Sequence, residues 1–172
     1  GQINHPHLPV NGMMTFPTEL TLRTTRNGVR LYSYPVAELA KLQELKGNWA
    51  NLKAEEATAK LKPYDKEGAL LIKTTIRLSH ATSAGISLDG QNIVDYDMNR
   101  NTINGTFYSP DEIGSMELKM TLLIDRTSVE VYIDDGAYSY VMERRAHNSS
   151  GFNFWGNNIM VKELEVSRLR SI

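Results

Sequence analysis

Asp95 and Asp97 stand two residues apart in the run Ile93-Val94-Asp95-Tyr96-Asp97. On a strand, that spacing sets two carboxyl groups on one face, about 6.5–7 Å apart. Glycosidic hydrolysis needs two such groups at roughly 5–9 Å, one of them with a raised pKa. Exposed strand acids are common, so the pair by itself is a weak catalytic signal. The same residue types have a second use. A sugar held without chemistry rests its apolar C–H surface on an aromatic face, while carboxylates, amides and guanidinium groups bond its hydroxyls in fixed directions. Three stretches combine those types: Asp95-Tyr96-Asp97 with Asn99 and Arg100; Tyr138 and Tyr140 with Glu143, Arg144 and Arg145; and Phe152 to Asn158, where Trp155 and Asn157 lie in a Gly-flanked segment. Glu19 and Arg23 are outlying candidates.

Each stretch also has a purely structural reading. Tyr138 and Tyr140 fit cross-strand packing. Glu143 and Arg145 fit a solvated pair of modest worth, and Trp155 fits a cap on the core. Asp125 and Glu130 read as structural acids that orient backbone.

Other chemistries find no footing. The sequence has no His-Glu-x-x-His, Gly-x-Ser-x-Gly, Walker or Gly-x-Gly-x-x-Gly motif. Its four histidines (His5, His7, His80 and His147) are scattered and read as solvated loop residues. Cysteine is absent, which excludes disulfides, thiol nucleophiles and thiolate metal sites. No cofactor or metal is expected; loop acids such as Asp89, Asp111 and Asp134 would allow a calcium without requiring one. With 172 residues and a net charge of −1, the chain is large enough to bury a core and carries no polybasic surface for nucleic acid or anionic membrane. No apolar run approaches the roughly 20 residues of a membrane span. Gly1 without a Met reads as a fragment cut from something longer.

Strands must position these residues. Ser128 to Asp134 alternates with a period of two, Asp135-Gly136 supplies a tight turn, and Ala137 to Glu143 alternates again. Met116 to Leu122 precedes them, so three consecutive antiparallel strands are expected at the centre of the fold. Gly68–Leu78, Gly85–Leu88, Ile93–Asp97, Phe107-Tyr108, Gly151–Phe154 and Ile159–Leu169 extend the set, the last with a bulge between Val161 and Leu164. Asn27-Gly28 marks a first hairpin, entered through Met13 to Leu22. The three-residue spacing of Val36, Leu39, Leu42 and Leu45 predicts one short helix ending at Lys46-Gly47. Asn48 to Lys66 supports strand and helix equally weakly. The sum is an all-β, jelly-roll-like β-sandwich of two antiparallel sheets with one short helix: residues 1–12 a linker or tail, 13–172 a single domain.

Asp125-Arg126-Thr127-Ser128-Val129-Glu130-Val131-Tyr132 resembles the Asp-x-x-Ser-x-Glu-x-Phe/Tyr signature in the C-terminal β-sandwich of glycoside hydrolase family 32, the fructan hydrolases and invertases. Pro17-Thr18-Glu19-Leu20-Thr21-Leu22 and Tyr34-Pro35-Val36-Ala37-Glu38-Leu39 match the segments that open that sandwich. The catalytic Asp and Glu motifs of the family's propeller are missing, so the resemblance implies a non-catalytic piece. Free-standing sandwiches of this kind are the family 66 carbohydrate-binding modules, similar to modules of bacterial levanases that hold the terminal fructosyl unit of β-fructans. Asn104 to Ser109 and Met142 to Ala146 depart from the enzyme sandwiches. The second is more charged, which points to retuning for a ligand. The resemblance implies a secreted bacterial protein whose partners are β-fructan and an attached glycoside hydrolase domain. The alternative is a structural sandwich that braces a propeller and binds no sugar.

Overall fold

A computed structural model describes residues 14–78, 81–108, 116–144 and 150–170. In chain order the elements are β1 (Thr18–Thr25), β2 (Gly28–Pro35), a 3₁₀ turn (Ala37–Leu42), β3 (Gln43–Leu52), α1 (Ala54–Leu61), β4 (Leu70–Arg77), β5 (Ser83–Leu88), β6 (Gln91–Asp97), β7 (Thr102–Ile103), β8 (Thr106–Phe107), β9 (Glu117–Ile124), β10 (Ser128–Ile133), β11 (Tyr138–Glu143), β12 (Phe152–Gly156) and β13 (Met160–Leu169). A six-stranded sheet runs β11-β10-β9-β4-β13-β3 and a five-stranded sheet runs β12-β5-β6-β7-β8, with every pairing antiparallel. The expected all-β sandwich with one short helix is therefore what forms.

The core lies between the sheets. Ile72 and Ile76 of β4, Leu118 and Leu122 of β9, Val129, Val131 and Ile133 of β10, and Val161 and Leu164 of β13 face Ile86 of β5, Ile93 and Val94 of β6, and Phe154 of β12. Two-residue alternation sends the intervening residues outward, except at a bulge in β6, where Ile93 and Val94 both turn inward. The bulge expected in the last strand falls between Val161 and Glu163 and restores the inward phase for Leu164.

The short helix is not where the spacing predicts it. A three-residue period is that of a 3₁₀ turn, whose side chains at i and i+3 eclipse. Ala37–Leu42 adopts that form and stops, and Gln43 onward pairs with β13 as an edge strand. The α-helix forms at Ala54–Leu61 instead. Its N-terminus is held by the Glu56 carboxylate, which accepts the Lys53 N–H at 2.8 Å. Ala57 and Leu61 drop from it into the core, and the Thr58 hydroxyl oxygen accepts the Phe154 N–H at 2.9 Å, tying α1 to β12.

The three hairpin strands β9, β10 and β11 are consecutive and antiparallel, as expected, but they are not central. β9 lies inside the sheet and β11 forms its edge. Nor is β10 half-buried: all six of its residues are buried. The cause is the β1–β2 hairpin, which pairs with neither large sheet and lies over the outer side of β10. Tyr34 meets Tyr132 edge-on at 5.8 Å between ring centroids. Glu130, 3% exposed, accepts the Phe16 N–H at 2.9 Å and the Tyr132 hydroxyl at 2.6 Å. Leu39, Leu71, Leu123, Tyr132 and Leu169 make a second, smaller core beneath this cover.

A buried carboxylate with two donors cannot be truncated cheaply, because both donors lose their partner away from water. Glu130→Ala should lower stability by about 2–3 kcal/mol, and Glu130→Gln by less. Urea denaturation checks this through the midpoint at constant slope; an unchanged midpoint would show that the hairpin is not anchored there.

Candidate functional site

The register between β12, β5 and β6 decides which candidates meet. Trp155 pairs with Gly85, and Gly85 pairs with Asp95. With Phe154, Ile86 and Val94 facing inward, this rung faces out. Its three positions span about 10 Å at the ~4.8 Å spacing of neighbouring strands. Gly85 is what lets the indole lie down: a Cβ there would sit 2.7 Å from Trp155 Cζ2 and 1.9 Å from the Val94 carbonyl oxygen. Trp155 is half-buried, and its Nε1 is enclosed with no partner among the described residues. Asn153, Ser87 and Asn92 continue the outer face on one side. Ser83, Asp97 and Thr102 continue it on the other. The result is a polar surface with one aromatic plate and two carboxylates.

Asp95 and Asp97 share that face, as the strand spacing requires. Asp95 Oδ2 accepts from Asn92 Nδ2 at 3.4 Å. Asp97 Oδ1 accepts the backbone N–H groups of Asn99 at 2.9 Å and Arg100 at 3.1 Å, closing the turn after β6. Arg100 stands 3.7 Å from Asp97 with its side chain 82% exposed. Asn157 lies exposed in the turn that follows β12.

Tyr96 separates from its neighbours. At 5% exposed it points into the core, the other side of β6 from Asp95 and Asp97. Tyr138 and Tyr140 are packing residues. Their rings are 5.4 Å apart and Tyr138 is 5.8 Å from Tyr108, which joins the β11 edge of one sheet to the other sheet. The Tyr140 hydroxyl donates to the Ile93 carbonyl at 2.7 Å. Beside them, Gln91 Nε2 donates to the Glu143 carbonyl at 3.1 Å, so Glu143 is engaged through its backbone in the same seam. Arg144 is a clamp. Its Nη1 donates to the Glu67 and Asp125 carbonyls at 3.1 and 3.2 Å and its Nη2 to the Asp65 carbonyl at 3.1 Å, with Asp89 Oδ2 3.8 Å away. Arg145 lies outside the described residues, as does Asp111.

Gly85 and Asn104 were not among the candidates. Asn104, at φ 48°, donates from Nδ2 to the Ile93 carbonyl at 3.0 Å, and its Oδ1 accepts the Asp95 N–H at 2.8 Å, fixing the backbone that carries Asp95. The sequence signals were faint: an Asn-Gly turn and one glycine inside a strand pattern.

Burial holds several phenols in their neutral form. It is the first cause of the raised pKa of Tyr96, Tyr108, Tyr132 and Tyr140; the Asp134 carboxylate adds to it at Tyr96 and Tyr108, and Glu130 at Tyr132. A folded pKa above the unfolded value of about 10 gives stability that is full below pH ~10 and is lost as pH climbs past it. The melting temperature should be level to about pH 9.5 and fall steeply above 10, with Tyr108→Phe falling less steeply. Thermal denaturation from pH 8 to 11.5 checks this; a level profile throughout contradicts it.

Sheet order and pairing define a two-sheet antiparallel β-sandwich domain with an aromatic-and-carboxylate rung on one outer face. Residues 38–167 match the model of the glycosyl hydrolases family 32 C terminal, and the chain belongs to that family. It is 24% identical over 195 residues to a levanase of Bacillus subtilis, covering 97% of this chain and 28% of that protein. Among solved structures it resembles an exo-inulinase from Aspergillus awamori (TM-score 0.68, 14% identity), covering 98% of this chain and 38% of that one. Fructan 1-exohydrolase IIa from Cichorium intybus gives a TM-score of 0.63 at 14% identity, with 94% and 42% covered. The two structural likenesses show the fold. The chain thus spans well under half the length of each relative and corresponds to the C-terminal domain, not the catalytic one.

Proposed function

We propose that this domain is a non-catalytic carbohydrate-binding module of the family 66 kind, one that holds β-fructan, in particular the terminal fructosyl unit of levan. The observation that carries this reading is the Trp155–Gly85–Asp95 rung. A furanose ring laid on the indole would turn its hydroxyls toward Asp95, Asp97 and Arg100, and charged partners make the stronger hydrogen bonds. The levanase relative and the fructan hydrolases of like fold support the choice of polymer.

The mechanism is targeting. A hydrolase domain attached to the module is held near polymer ends, and the tether compensates for weak single-site affinity by raising effective concentration. A polymer too large to enter a cell is met outside it, so the protein is proposed to be secreted.

A second reading, a sandwich that braces a neighbouring propeller, has one observation behind it. Leu20, Leu22, Val29 and Leu31, each more than half exposed, share one face of the β1–β2 hairpin. A contiguous apolar face of that kind suits contact with another domain. The two roles use different surfaces and are compatible.

Affinity gel electrophoresis on levan separates them. Trp155→Ala and Asp95→Ala should each weaken retardation at least about tenfold, which is ~1.4 kcal/mol, while Leu22→Ser should leave it intact. Unretarded migration of the unmutated domain on levan would leave bracing as the sole role.

A further inference from the structure

The outer face of the six-stranded sheet carries a groove of about 510 Å³, within the usual range for ligand sites. Its floor is laid out by strand register. Asn48, Glu165, Lys73 and Thr121 form one row across β3, β13, β4 and β9. Ala50, Glu163, Thr75 and Lys119 form the next. Each row is about 14 Å long at ~4.8 Å between strands, and the rows lie about 7 Å apart. At the β9 end stand Tyr34 and Asp135.

The chemistry of this tile is distinctive. Lys73 is 3.7 Å from Glu165, and Lys119 is 2.9 Å from Asp135, which raises the Lys119 pKa through that hydrogen bond. Opposed charges therefore neutralise each other on the floor. The Glu163 carboxylate and the Asn48 amide are exposed and have no side-chain partner among the described residues. No large aliphatic side chain is presented in either row, so an apolar peptide or lipid finds no purchase. A polyanion would meet three carboxylates against two ammonium groups. An uncharged polyhydroxylated chain fits: each hydroxyl both donates and accepts, and can join a Lys and a carboxylate at once. The length of a row suits two to three sugar rings.

We propose that this groove is a second carbohydrate site, taking an internal segment of a neutral polysaccharide, with Glu163, Asn48 and the Lys73–Glu165 pair as its hydrogen-bonding floor. It rests on the reading of the domain as a fructan binder and adds a second contact to it. Because the Trp155 face and the groove are on opposite outer faces of the sandwich, one domain engages two separate chain segments. Occupancy of both raises avidity without raising either affinity.

The test is an amide ¹H–¹⁵N titration of the whole chain with levan-derived oligosaccharides of four to eight units, unmutated and as Trp155→Ala. Two groove variants accompany it. Glu163→Ala removes the exposed carboxylate, and Ala50→Trp fills one end of the groove at an exposed edge-strand position. Expected are shifts at Asn48, Lys73, Thr75 and Glu163 that persist in Trp155→Ala, with affinity falling at least fivefold in both groove variants. Shifts confined to β5, β6 and β12 overturn the groove and leave the fructan reading standing. Shifts on the groove alone keep the groove and displace the Trp155 site. Shifts on neither face overturn both. The spectra themselves report folding of each variant.

Discussion

The antiparallel ladder with its period of two is the constraint on which everything else depends. Burying Ile86, Val94 and Phe154 in the core forces Gly85, Asp95 and Trp155 to the opposite side on one rung. A shift of register by one residue would exchange the two faces and cost the whole apolar set its burial. The core thus holds the outer face in register with a free energy far larger than any ligand contact could supply. The same logic lays out the two rows of the groove on the other sheet. Neither surface needs a rigid loop, because strands that cannot slip already align their side chains.

Polar groups inside the molecule bind the layers together, and they account for several of the charged and aromatic residues that resemble a site in the sequence. Arg144 serves three carbonyls from two separate segments, so its guanidinium fork works as a staple between them. Glu130 fixes the entry of the chain to the hairpin cover. Tyr108, Tyr138 and Tyr140 stack in the seam where the sheets approach each other. Aromatic and carboxylate residues serve both the outer face of the five-stranded sheet and the polar seam; what each side chain packs against separates them, since Tyr138, Trp155 and Asp95 are all partly buried. Tyr96 and Tyr138 became structural, while Trp155 and Asp95 stayed at a surface.

The cover over β10 has consequences beyond stability. It converts a strand that alternates apolar and polar residues into one buried on both sides, with Glu130 and Tyr132 hydrogen-bonded to each other rather than to water. It also leaves the other face of the hairpin, with Leu20, Leu22, Val29 and Leu31, turned outward. One small element therefore seals the sandwich and presents an apolar stripe to its surroundings.

Local pattern determined most of the strands, though not β3 or β7, together with the Asn27-Gly28 and Asp135-Gly136 turns, the bulge after Val161 and the sharing of a face by Asp95 and Asp97, because each follows from contacts within a few residues. The family was legible in the short motif Asp125 to Tyr132, which lies within the matched residues, for the same reason: it is contiguous. Tertiary structure alone decided that Trp155 and Asp95 line up on one rung across Gly85, that Lys73 and Glu165 share a row, and that Tyr96 is core. Those pairings join residues about 60 to 90 positions apart, and no periodicity encodes which strand lies beside which. The helix was misplaced on the same ground. Val36 to Leu45 and Ala54 to Leu61 are both short and weakly amphipathic, and pairing of β3 with β13 left only the second free to coil.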